Sequence, residues 1–224
     1  MKRALAIALL LGGCSFSPGS APNDGPRDGT AHLDTQQVDP IDAAIDAKVY
    51  RDAPPSSFDV TQCPSSYTNN TITSSPNSRY RFLGGQGHSF GSQYYACSQD
   101  HVGWTHLITL NSANEGAQIR AAISTSIFYA GAVQPKDQAT PSTGWLGFDG
   151  QPVPQEVWQT SQPNDNADGV ENNDQNVVAV DDSTGLYNDV QPSYLYAAVC
   201  ECDGIAVPQN VIDIVDAVTQ ASGH

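Results

Sequence analysis

The sequence predicts an α+β domain. Three observations carry this reading. Strand-like and helix-like segments do not alternate as they would in a parallel α/β sheet. Two helix signals come early, at Ser89 and at Ser112, before most of the strand-like runs. The later apolar runs are short, are bounded by turn residues and frame one long polar loop.

Taken in order, the first strand falls at residues 80–83 (YRFL). Residues 84–87 (GGQG) then form a turn, and their glycines lack the spacing of a dinucleotide-binding loop. Ser89 caps a helix that carries Tyr94, Tyr95, Ala96 and Cys97. Residues 107–110 (LITL) are rich in β-formers. Ser112 and Glu115 then stand at capping-box spacing, ahead of a helix through Gln118, Ile119, Ala122 and Ile123. Residues 144–148 (GWLGF) read as a strand between turn residues. The last two strands fall at 176–180 and 194–200. In the tail, 205–224, Val211, Ile212, Ile214, Val215 and Val218 are spaced for a short helix.

The folded part is bounded to residues 61–204. Before it, residues 1–13 read as an export signal: Lys2 and Arg3, an apolar run too short to span a bilayer, then Gly12 and Gly13. Leu11-Gly12-Gly13-Cys14 resembles the lipobox of bacterial lipoproteins. That resemblance implies cleavage before Cys14 and its lipidation, with an anchor in the cell envelope at the outer membrane or cell surface. Several acyl chains hold firmly where one is marginal. Residues 14–60 are rich in Asp, Pro, Gly and Ala. They cannot bury enough surface to offset their ordering entropy, so they read as a disordered acidic tether.

The formal net charge is -15, from 9 Lys and Arg against 24 Asp and Glu. Such a balance argues against nucleic-acid binding, which needs cations for phosphates. Setting Cys14 aside, four cysteines remain, and export favours their oxidation. Four cysteines permit three pairings, and the Cys200-Glu-Cys202 spacing is too short for the usual metal or redox motifs. His88, His101 and His106 lack zinc-protease spacing, and no Gly-x-Ser-x-Gly elbow is present. No two carboxylates are singled out as an acid/base pair, so the chain reads as a binding protein rather than an enzyme.

The densest run of oxygen donors lies between Trp158 and Cys202. It holds Gln162, Asn164, Asp165, Asn166, Asp168, Glu171, Asn172, Asn173, Asp174, Asn188 and Asp189, with no Lys or Arg. Such a loop either stays solvated or presents oxygens to a cation. Calcium is the natural one, because it takes six to eight oxygen ligands.

Seven segments in order resemble a C-type lectin-like domain over residues 63–202. They are Tyr80-Arg81-Phe82, Tyr95-Ala96-Cys97, the run from His106 to Ser112 with Glu115, Trp145-Leu146-Gly147, Trp158 with Gln162-Pro163-Asn164, Tyr187-Asn188-Asp189, and Ala198-Val199-Cys200-Glu201. The resemblance implies two helices, antiparallel sheets, termini that meet as paired strands, and a long loop above the sheet. It implies disulfides Cys97–Cys200 and Cys63–Cys202. It also implies one calcium held by Gln162 and Asn164, by Asp174 or Glu171, and by Asn188 and Asp189. A carbohydrate would then coordinate the ion through neighbouring hydroxyls and bond Gln162, Asn164 and Asn188. Tyr187 or Tyr194 would pack on its ring.

Three departures bear on that expectation. Gln-Pro-Asn has two neutral amides, so the site carries fewer anionic ligands and calcium binding should be weak. The triplet mixes two family patterns and leaves the sugar class open. Asn176 and Pro192 stand where the family's loop disulfide would be. A calcium-independent protein-binding or adhesion module of the same fold is the alternative.

Overall fold

The computed structural model describes residues 58–68, 72–123, 127–165 and 172–221. The export signal, Cys14, nearly all of the tether and Glu171 lie outside the described residues. In chain order the elements are β1 (Arg79–His88), α1 (Phe90–Ser98), β2 (Thr105–Leu107), α2 (Ala113–Ile123), β3 (Phe128–Val133), β4 (Leu146–Gly147), β5 (Val177–Val180), β6 (Tyr187–Val190), β7 (Tyr196–Cys202) and α3 (Gln209–Ala221). Single 3-10 turns lie at Val60–Gln62 and Gln155–Val157.

The strands form one sheet in the order β1-β7-β3-β5-β6, with β2 added to β7 and β4 to β3. β7 is its organising strand. One edge pairs antiparallel with β1, from Arg79 opposite Cys202 to Leu83 opposite Ala198. The other edge is shared. β2 covers its end, with His106 opposite Glu201. β3 covers its start, with Phe128 opposite Ala197. β2 runs antiparallel to β7, whereas β3 runs parallel to it. The sheet is therefore mixed, not wholly antiparallel as expected, because α2 reverses the chain between β2 and β3.

Alternation along the strands gives both faces something to bury. Tyr129, Ala179, Ala198, Cys200 and Cys202 face a core closed by Phe90, Tyr94 and Cys97 of α1. Val211, Val215 and Val218 of α3 fill the same core at helical spacing. The tail is thus part of the domain's packing. Phe128, Ala130, Val178, Val180 and Val199 face a second core with Ile108, Leu110, Ile119 of α2, Trp145 and Trp158.

Ser89 occupies the N-cap of α1 with extended backbone, but its hydroxyl pairs with Ser92 Oγ at 3.2 Å and makes no capping bond to the helix backbone. At α2, Ser112 Oγ accepts from Glu115 N at 3.2 Å, and Glu115 Oε2 accepts from Asn111 N at 2.9 Å. This is the expected box, with its return bond displaced by one residue. Gly116 packs α2 on the turn after β5, where a Cβ would lie 2.0 Å from Gly185 O. β1 is longer than expected. It runs through the glycines at 84–87 and tolerates them because a register irregularity falls between Leu83 and His88. β3 lies in the run FYAGAV, where the sequence pattern predicts no element.

Two disulfides close the ends: Cys63–Cys202 and Cys97–Cys200. They tie the start of the domain and helix α1 to the last strand.

Candidate functional site

The long loop leaves the core at Trp158 and returns at β5, and Tyr187 of β6 braces its start. The Trp158 and Tyr187 rings meet edge to face at 5.7 Å, and Trp145 packs on Trp158 at 5.0 Å. Gln159 N donates to Tyr187 O at 3.0 Å. Leu110 N donates to the Tyr187 hydroxyl at 2.7 Å. Tyr187 is fully buried, so it anchors the loop and cannot pack on a sugar. That corrects its expected role. The aromatic left for that role is Tyr194, which is 40% exposed.

From this anchor the chain turns through Ser161, at φ 70, and a cis Gln162–Pro163 bond. The turn sets the next backbone amides over β6. Asn164 N and Asp165 N both donate to Asp189 Oδ2, at 2.9 and 2.6 Å. Asp165 is itself buried. Its carboxylate accepts from Asn172 N and, at 3.1 Å, from Gln175 N. The two carboxylates therefore pin both sides of the loop through backbone groups. Burial raises the Asp189 carboxyl above the ordinary carboxylate range. The Asp165 and Asn164 amides pull it back, and the Asp165 charge pushes it up again.

Among the described residues, two buried oxygens here have no hydrogen-bond partner: Gln162 Oε1 and Asp189 Oδ1. A buried acceptor without a donor is costly unless something positive meets it. Amide and carboxylate oxygens are the ligands a hard cation takes, so this donor set fits calcium. The Asn164 backbone and Asp189 are thus brought together, and Gln162 stands two residues before Asn164 in the same turn. Asn188 is partly buried, and strand alternation puts it on the opposite face of β6 from Asp189.

Asp174 is exposed and sits elsewhere. It lines a separate cleft of about 200 Å³ with Lys136, Asn173, Asn176, Pro192 and Val218. That cleft holds both residues found at the positions of the family's loop disulfide. Asp165 is not among the expected ligands, although it lies in the oxygen-rich run. The signal for it is its place directly after the Gln-Pro-Asn triplet, where a buried acid can face the β6 carboxylate.

The fold and its loop define the class. Paired first and last strands, flanking helices, disulfides Cys63–Cys202 and Cys97–Cys200, and a long polar loop anchored on aromatic rings give the chain the C-type lectin-like fold that the resemblance implies. No family model matches the sequence, and no curated protein does. Among solved structures, it is similar to the carbohydrate-recognition domain of the mouse scavenger receptor C-type lectin, at 22% identity and a TM-score of 0.46, over 62% of this chain and 96% of that one. It is similar to the cow C-type carbohydrate-recognition domain of CD23, solved in the presence of an oligosaccharide, at 23% identity, a TM-score of 0.47, and 62% and 94% coverage. It is also similar to a calcium-independent type II antifreeze protein, at 18% identity, a TM-score of 0.48, and 62% and 92% coverage.

Proposed function

We propose that this chain is a cell-surface lipoprotein that binds carbohydrate weakly through one calcium in the long loop. One observation carries the reading. Gln162 Oε1 and Asp189 Oδ1 are buried beside the same turn and lack a donor. Gln162, Asn164 and Asp189 would hold the ion, with Glu171 as a further acid. A bound calcium supplies coordination positions for neighbouring sugar hydroxyls. The chain's own amides would orient those hydroxyls through hydrogen bonds. Exposed Tyr194 offers a ring face to the sugar. Lipidation of Cys14 would hold the domain at the envelope, on the acidic tether of residues 14–60.

A second reading is a calcium-independent protein-binding module. It is favoured by the backbone bonds that already occupy Asp165 and half of Asp189, which close the loop without an ion. Calcium titration calorimetry on the full chain separates the two. Saturable binding that is lost in Asp189→Ala supports the sugar-through-calcium reading and leads to a glycan screen. No binding at millimolar calcium by the folded protein ends it.

A further inference from the structure

We propose that His106, Glu201 and Asp203 form a second metal site, suited to zinc, which clasps the end of β7 onto β2. This site lies apart from the polar loop and does not depend on the lectin reading.

The backbone places the three together. His106 of β2 lies directly opposite Glu201 of β7 in the antiparallel register. Side chains so placed lie about 5 Å apart at Cβ. Asp203 stands one residue past the end of β7, where the chain turns and its carboxylate reaches His106. One ligand atom from each residue lies within 4.8 Å of the other two. His106 Nε2 is 3.1 Å from Asp203 Oδ1. Two ligands in a tetrahedral zinc shell are about 3.3 Å apart. Little movement is therefore needed to admit an ion.

Each of the three side chains is aimed by a backbone group. His106 Nδ1 is 2.8 Å from the Leu107 carbonyl, which can only accept, so Nδ1 carries a proton; Nε2, 3.1 Å from the Asp203 carboxylate, carries a second one that an incoming ion displaces. Glu201 Oε2 accepts from Thr109 N at 3.1 Å. Asp203 Oδ1 accepts from Ile205 N at 2.8 Å. Such outer bonds are what orient metal ligands and fix the histidine tautomer. Two carboxylates with a neutral imidazole balance a dication in a place where net charge is costly. The imidazole selects a transition metal over calcium. Cys200 and Cys202 flank Glu201, but both are in disulfides and offer no thiolate. His106 is 1% exposed and Asp203 13%, so an ion would reach the site past Asp203.

The test is a titration of the full chain, freed of metal by chelation, with zinc and then cobalt. Circular dichroism first checks that each variant is folded in chelator. We expect one zinc per chain, a raised Tm, and the visible absorption of cobalt in a low-symmetry nitrogen and oxygen site. His106→Gln should weaken zinc at least about 10-fold and abolish the cobalt band. Asp203→Asn should weaken it similarly, and Asp189→Ala should leave it unchanged. Absence of saturable zinc binding and of the cobalt band in the wild-type chain would show the trio to be a buried ion pair only. Zinc binding that survives His106→Gln but fails in Asp189→Ala would assign the ion to the loop and overturn the proposal.

Discussion

Asp189 Oδ2 accepts the backbone N–H of Asp165 at 2.6 Å, and the Asp165 carboxylate accepts from Asn172 and Gln175 in turn. With no cysteine between Trp158 and Val199, this chain closes its loop with carboxylate-to-backbone bonds. Charge-assisted bonds of this kind are worth about 1.5–3 kcal/mol each. Asp165→Ala leaves two loop amides without their acceptor. It should lower stability by about 2–3 kcal/mol in urea unfolding. Asp174→Ala, at an exposed position, should stay within about 0.5 kcal/mol of wild type.

Glu115 links the first turn of α2 to β1. Its carboxylate accepts from Ser75 Oγ, from the Tyr80 hydroxyl at 3.0 Å and from Asn111 N at 2.9 Å. The side chain is fully buried. Glu115→Ala would leave buried donors unmatched and should cost about 3 kcal/mol. Tyr80→Phe removes only one partner and should cost about 1 kcal/mol. Equal losses from the two variants in urea titrations would contradict this division.

Much of this frame is legible in the sequence, because it rests on local chemistry. Ser112 and Glu115 announce a helix start through capping spacing. The resemblance brings Cys97 to Cys200 and Cys63 to Cys202. β3 is less legible. Its run FYAGAV is apolar throughout, because both faces of the central sheet are buried, so it shows no alternation to read. Tyr187 misleads for a similar reason. An aromatic residue beside Asn188 and Asp189 suggests a sugar platform, but whether its ring faces solvent or core depends on tertiary packing. The metal trio is invisible to linear spacing, since His106 and Glu201 meet only through the strand register.

Cys97–Cys200 spans 103 residues and Cys63–Cys202 spans 139. In the chain-entropy model, closing loops of this length is worth about 4–5 kcal/mol, with about 2–5 kcal/mol typical for native bonds. The Cys97→Ser/Cys200→Ser pair should lower the denaturation midpoint markedly. It also removes a contact between α1 and the buried end of β7. The Cys63→Ser/Cys202→Ser pair fastens a more exposed start and should cost less. Midpoints measured side by side check the ranking.

Asp181 supplies a pH dependence of defined sign. Partial burial would raise its carboxyl, but the Ser183 hydroxyl, the Ser183 and Thr184 amides and Gln159 outweigh it. The group is held below the ordinary carboxylate value of 3.8. A lowered carboxyl stabilises the fold above its unfolded pKa and loses that contribution as pH falls through the folded value. Asp181→Asn should therefore cost stability near neutral pH and little in strong acid. Tm series from about pH 7 to about pH 2 on both proteins should converge at the acid end.

Tyr187 and Tyr194 should separate stability from binding. Tyr187→Phe keeps the ring but removes the acceptor 2.7 Å from Leu110 N. A buried amide is then left unmatched, at about 1–3 kcal/mol. Sugar binding should be unaffected as long as the protein is folded. Tyr194→Ala should do the opposite. Its ring is 40% exposed, so stability should change by less than about 1 kcal/mol. If the sugar packs on that ring, affinity should fall several-fold. Unfolding curves and glycan titrations on the same preparations check both. Unchanged affinity in Tyr194→Ala would remove the aromatic platform from the proposed site.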